Sequence, residues 1–193
     1  MIAKGEFGKV TLVRIHVAGW FNPAQTDPKI WRTSKALAGG GNSMDMGCHM
    51  LDLLIHILGM PTSVQALVGS LVHAYDSDDS AAALMQLPNG APVLADFHWN
   101  TRAGGHEFEI VGSDARLKMI PADSGPVYKT ANGEIETLTL PNVANVHLPL
   151  VQDFVNAVLE NRQPAVPLDQ ALQVNKLLDA IYKAAQTGTA QTP

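Results

Sequence analysis

Turn chemistry between residues 62 and 140 constrains this chain more than any other feature. Pro88-Asn89-Gly90, Gly112-Ser113-Asp114 and Asn132-Gly133 punctuate short apolar-polar runs, and such residues close hairpins by supplying left-handed backbone or side-chain turns. The spacing predicts strands at Thr62 to His73, Asp79 to Leu87, Ala91 to Thr101, Glu107 to Val111, Ala115 to Ile120, Val127 to Thr130 and Ile135 to Leu140. An earlier strand is expected over Lys9 to Val17, long and bulged, with Val10 and Leu12 giving way to Val13, Ile15 and Val17 on its apolar face. Short turns make neighbours antiparallel.

The last third changes period. Leu150, Phe154, Val155, Val158 and Leu159 recur at helical spacing within Val146 to Glu160. Leu172, Leu177, Leu178 and Ile181 do so within Leu168 to Gln186, with Pro164 and Pro167 between the two segments. Both helices are expected to pack. The order of elements implies one α+β domain over residues 1–193, a largely antiparallel open sheet of about six strands with helices on one face, and a frayed tail at 187–193. An open sheet with apolar alternation on both sides needs a cover, and a homodimer through that face is expected.

At 193 residues, 46% hydrophobic and 16% charged, the chain can bury a substantial core. Its net charge of −5 gives no electrostatic reason to expect nucleic acid or anionic membrane as a partner. Its longest apolar run, Met44 to Met60, is interrupted by aspartates and histidines and is too short to span a bilayer. No secretory leader pattern is present, so a cytoplasmic location is expected. A single cysteine, Cys48, excludes an internal disulfide and a cysteine-based zinc cage.

The chemistry concentrates after Gly39-Gly40-Gly41. If residues 44 to 58 are helical, Asp45, His49, Asp52 and His56 fall within roughly 60° of one another at about 100° per residue. Apolar side chains cover the remaining arc. Asn42 or Ser43 is expected to cap the helix, and Gly59 with Pro61 to end it. A carboxylate four residues before an imidazole can orient the ring and fix its tautomer. Against that stand plainer readings: Asp45 as a capping-box acid, His49 as a core histidine, and Asp52 and His56 as solvated neighbours. A divalent metal on the stripe ranks last, because one helix face supplies ligands too nearly collinear for four to converge. The Asp76-Ser77-Asp78-Asp79 run lacks the glycine and distal glutamate of a calcium loop and reads as a solvated turn.

The run G-G-G-x-x-x-D-x-G-x-H-x-x-D, preceded by Trp31-Arg32, resembles the hallmark of the Gfo/Idh/MocA oxidoreductases, the group of glucose-fructose oxidoreductase and inositol dehydrogenase. Gly5-Glu6-Phe7-Gly8-Lys9-Val10, Phe108 to Ser113, Asn145-Val146-His147 with Asp153-Phe154, and Asn161 to Pro164 resemble further stretches of that family. The resemblance implies that Asp45 and His49 are catalytic, with His49 exchanging the substrate hydroxyl proton as hydride moves and Asp45 orienting it. It also implies an NAD(P)-dependent dehydrogenase acting on a sugar, polyol or related hydroxyl compound. Trp31, Arg32, Asp52, His98 and Arg102 are the expected substrate contacts, the last two with Trp99, Asn100 and His106 at a strand end where ordinary polarity is the plainer account.

The family also carries an N-terminal dinucleotide-binding domain with a G-x-G-x-x-G turn and a lysine from an E-K-P sequence. Neither motif occurs here. The expectation is therefore a C-terminal substrate-binding and oligomerisation domain that starts near the domain boundary and binds no NAD or NADP alone, with no cofactor-binding or metal residues assigned. The alternative is a stand-alone, non-catalytic binding or assembly module.

Overall fold

The computed structural model describes residues 2–139 and 144–193. One eight-stranded sheet, in place of about six strands, forms the centre of the molecule. Its strands are β1 (Val10–Trp20), β2 (Ser63–Gly69), β3 (Ser80–Gln86), β4 (Pro92–His98), β5 (Asn100–Gly112), β6 (Ala115–Met119), β7 (Val127–Ala131) and β8 (Glu134–Leu138). Leu140, the expected end of β8, lies outside the described residues. The sheet order is β2-β3-β4-β1-β5-β6-β7-β8.

Six of the seven pairings are antiparallel, and β1 with β4 is parallel. Hairpin turns cannot announce that pair, because β1 reaches its slot by a long crossover rather than a turn. The run expected as one strand from Ala91 to Thr101 breaks at Trp99, where the chain passes over the end of β1 and starts β5 on its other side. Trp99 there accepts from Phe21 N and donates its own N–H to Asp79 O. The bulge anticipated in β1 falls between Val10 and Leu12, where the register shifts and the core face moves to Val13, Ile15 and Val17.

Helix α1 (Lys35–Ala38) is short; α2 (Cys48–Leu58), α3 (Leu148–Leu159) and α4 (Leu168–Thr187) are longer. The motif segment begins as a wide π-type turn at Ser43–Gly47 before α2. Gly47 makes this possible, since a Cβ there would sit 3.0 Å from the Phe97 ring of β4. On one face of the sheet α2 and α4 bury Leu51, Leu54, Leu177, Leu178 and Ile181 against Val13, Ile15, Val93, Phe97 and Phe108. Water excluded from these side chains is the principal stabilising term, roughly 1.5–3 kcal/mol for each large one.

Helix α3 does not pack as expected. Leu150, Val151, Phe154, Val155, Val158 and Leu159 are all exposed, and of its residues only Ala157 is buried. Periodicity identifies an apolar face without saying whether anything lies against it. At the other extreme, the segment 187–193 does not simply fray: Gln191 pairs antiparallel with Val64 through two backbone hydrogen bonds of 2.9 Å. No helix among the described residues is long and apolar enough to cross a membrane.

Candidate active site

The Gly39–Gly41 turn closes α1 and feeds the π-type turn, with Gly39 at φ 80°. Its glycines serve packing. A Cβ on Gly40 would strike the Tyr182 hydroxyl and one on Gly41 the Asp78 carbonyl, so close packing of the protein's own atoms requires glycine at both positions. Asp78 accepts from Gly41 N at 2.8 Å and from the Tyr182 hydroxyl at 2.9 Å, which ties the turn to α4. Burial and the Asp78 charge raise the Tyr182 phenol well above its ordinary value, so it remains a donor.

The solvated turn expected at Asp76 to Asp79 is corrected by its burial, with Asp78 and Asp79 almost fully enclosed. Asp79 accepts from Leu71, Val72 and His73 N, each at 2.8 Å, and from the Asn100 amide at 3.1 Å. Burial pushes its carboxyl up, but these donors together hold it below the ordinary value. Aspartates in a run advertise solvent until backbone donors are known to converge on them.

Asn42 does not cap the helix. Its side-chain amide donates to Val17 O at 3.2 Å and His98 O at 2.9 Å, stitching the motif to β1 and β4. The Asp45 carboxylate lies 3.3 Å from Arg32 Nε, and among the described residues no hydrogen bond or ion pair joins it to His49. Arg32 comes from a 3-10 turn at Ile30–Thr33, anchored by Ser77, whose N–H and hydroxyl donate to Thr33 O and Arg32 O. The Arg32 guanidinium also covers Trp31, 5.4 Å from the ring centroid.

Trp31, Arg32, Asp45 and Trp99 line a cavity of about 100 Å³, with Ala38, Gly40 and Met44 completing its wall. That volume holds a ring edge or a hydroxymethyl group rather than a whole sugar, since complete ligand pockets run to roughly 300–1,000 Å³. Trp31 is half exposed and Trp99 buried, a lip and a floor of aromatic surface around one ion pair.

His49 projects from the first turn of α2 and is exposed; no side-chain partner for its imidazole is found among the described residues. Beside it, the Cys48 thiol donates to Asp45 O at 3.2 Å. Burial, then the charge of Asp45, pushes that thiol up, as befits a packed cysteine rather than a nucleophile. The stripe divides further along: Asp52 accepts from the Gln170 amide at 3.0 Å, and His56 lies 3.5 Å from the same nitrogen. Asp52 thus joins α2 to α4 instead of lining the cavity. Among the described residues no group of three or more such side chains is placed to hold a metal.

Two other expected contacts lie elsewhere. His98 reaches the motif through its backbone carbonyl, and its imidazole sits on the open face of the sheet beside Asp96 at 3.2 Å. Arg102 stacks over Trp20 at 4.2 Å, outside the cavity. Trp99 takes the place anticipated for them. Its position follows from the crossing over β1, whereas strand alternation from His98 had left its face undecided.

A family model described as GFO/IDH/MocA C-terminal domain matches residues 1–118, which includes the turn, the cavity and α2. The chain belongs to the GFO/IDH/MocA family. Among curated relatives of this family it is 29% identical over 178 residues to D-glucoside 3-dehydrogenase of Escherichia coli (strain K12), covering 81% of this chain and 50% of the relative. To D-xylose 1-dehydrogenase (NADP(+)) 2 of Haloferax volcanii it is 26% identical over 158 residues, covering 78% and 47%. The chain therefore spans about half the length of the curated relatives it matches.

Solved structures share the fold. Aldose-aldose oxidoreductase from Caulobacter crescentus, complexed with glycerol, superposes with a TM-score of 0.88 at 23% identity, covering 100% of this chain and 58% of that one. Levoglucosan dehydrogenase in complex with NADH and L-sorbose gives 0.85 at 19% identity, covering 99% and 60%.

Proposed function

We propose that residues 1–193 are the substrate-binding and self-associating half of an NAD(P)-dependent oxidoreductase acting on a sugar, polyol or related hydroxyl compound. The observation that carries this reading is the small cavity in which the Arg32–Asp45 pair meets Trp31 and Trp99 directly after the glycine turn. Aromatic faces suit the apolar faces of a sugar ring, and a fixed carboxylate accepts from its hydroxyls. The relatives named for glucoside and xylose dehydrogenation support the substrate class.

The cavity is too small to be a whole site, which supports a half-site walled on its other side by a domain that holds the dinucleotide. In this chain His49, exposed at the start of α2, would take the proton from the substrate hydroxyl. Asp45, held by Arg32, would bind a neighbouring hydroxyl and come within reach of the imidazole when substrate is seated. The reading includes a cytoplasmic location and no nucleic-acid or membrane partner, in keeping with the net charge of −5.

The open face of the sheet supports the homodimer. Leu67, Leu84 and Leu94 are exposed there. Eight strands at roughly 4.8 Å spacing and roughly 20 Å length present a face of roughly 700–800 Å², close to what one partner buries in a standard interface.

Calorimetric titration with a panel of aldoses, glycosides and polyols tests the site. At least one should bind, and Asp45→Asn or Trp31→Ala should weaken it at least tenfold; a panel without binders, or a binder indifferent to both changes, overturns the assignment. The commitment of Asp45 to Arg32 rather than His49 favours a second reading, a binding or assembly module without catalysis. In a two-domain protein carrying this domain, His49→Ala should lower turnover roughly 10²–10⁴-fold if the catalytic reading holds. Unchanged turnover would favour the module.

A further inference from the structure

The open face of the sheet carries a second cluster of titratable groups, remote from the cavity. His16 on β1 and Asp96 on β4 are direct neighbours in the parallel pair, and His16 Nδ1 lies 2.5 Å from Asp96 Oδ2. His98, two residues along β4, places Nε2 3.2 Å from the same oxygen, and its Nδ1 lies 3.1 Å from the hydroxyl of Ser80 on β3. One carboxylate oxygen therefore serves two imidazoles. With both rings neutral these contacts are mutually consistent: the Ser80 hydroxyl donates to His98 Nδ1, while His98 Nε2–H and His16 Nδ1–H donate to Asp96.

The groups around it are already balanced. Arg14 and Arg116 flank Glu109 at 2.5 and 3.5 Å, and Lys118 lies 2.6 Å from Glu107, so three cations and three carboxylates, Asp96 included, share the central strands. A shallow cleft of about 400 Å³ runs between them, lined by Arg14, His16, Leu94, Asp96, Glu107 and Lys118. Among the described residues no carboxylate besides Asp96 lies within ion-pair reach of either imidazole.

We propose that the Ser80–His98–Asp96–His16 chain is a proton-sensing site that couples pH to self-association of the open sheet face. The proposal rests on the sheet-mediated homodimer put forward above. With neutral imidazoles the patch carries no net charge and can be buried against a second copy. Protonating both rings adds two positive charges to each protomer and four to the facing pair. It also turns His98 Nδ1 into a donor, so that the Ser80 hydroxyl must reverse. Burying like charges out of water opposes association. The partner is a second copy because the patch is neutral as a whole while mixing both signs, which lets it meet itself across a two-fold axis.

Sedimentation velocity over a concentration series at pH 8.0 and pH 5.5 tests the coupling. Where association requires the imidazoles to shed protons, the dissociation constant rises with proton concentration, so it should be at least tenfold larger at pH 5.5 than at pH 8.0. The double variant His16→Gln, His98→Gln should dimerise equally at both values, and His98→Gln alone should halve the logarithmic change; circular dichroism at each pH establishes that the variants are folded. A dimer whose affinity is the same at both values, or tighter at pH 5.5, overturns the switch and leaves the dimer standing, as does a double variant that keeps the pH response. A monomer at both values overturns the dimer and the switch together. Leu84→Arg separates the cases further, since it should dissociate a sheet-face dimer at either pH.

Discussion

Single residues carry the sharpest consequences here. Gly41 has no room for a side chain because Asp78 fills the space, so Gly41→Ala should cost at least about 2 kcal/mol through overpacking or a displaced turn; a denaturation midpoint equal to wild type would refute it. Asp79 makes a prediction with a sign. Its carboxyl is held below its ordinary 3.8, so the stabilisation is complete above that value and is lost as pH falls beneath it toward the lowered one. Acid unfolding followed between pH 5 and 2 should therefore be shallower in Asp79→Asn, which should also be less stable at pH 7. Cys48 reports on Asp45: its thiol should react with a disulfide reagent more slowly at pH 8 than a free cysteine, and Asp45→Asn should speed the reaction by removing a nearby negative charge. An equal rate in both proteins would mean the two groups do not sense each other. At this scale the sequence was readable where chemistry is local. The family resemblance drew attention to Asp45, Trp31 and Arg32, which lie together, whereas Asn42 donates to carbonyls of two strands, Asp52 accepts from a side chain on another helix and Asp79 accepts from the amides of the preceding loop, partners to which no pattern points.

Elements were legible by period and turn, and less so by their surroundings. The β3–β4, β5–β6 and β7–β8 hairpins follow from turn residues, because both strands of a hairpin are specified by one short segment. The β1–β4 pair and the break at Trp99 are not, since they depend on where a crossover lands. The contrast between α3 and α4 has the same origin: both show apolar helical spacing, but α4 inserts Leu177, Leu178 and Ile181 into the core while α3 leaves Phe154 and its neighbours exposed. Leu177→Ala should cost roughly 2–5 kcal/mol by opening a cavity. Phe154→Ser should change stability by less than about 0.5 kcal/mol, and thermal melts of the two variants side by side would expose an error in either placement.

At the scale of the whole molecule, the sheet has two faces, one covered by α2 and α4 and one carrying exposed apolar side chains beside a charged cluster. The strand at its centre precedes the other seven in the chain. Val13 pairs with Val93 on one side and Ile110 on the other, so β1 cannot be bonded on both edges until residues far down the chain exist. At translation rates of roughly 5–20 residues per second, the interval between finishing β1 and starting β4 lasts roughly 4–14 s. Throughout it Val13, Ile15 and Val17 lack the β4 and β5 neighbours that cover their edges in the finished sheet, and a holding chaperone would be expected to meet this apolar segment before the rest of the fold can.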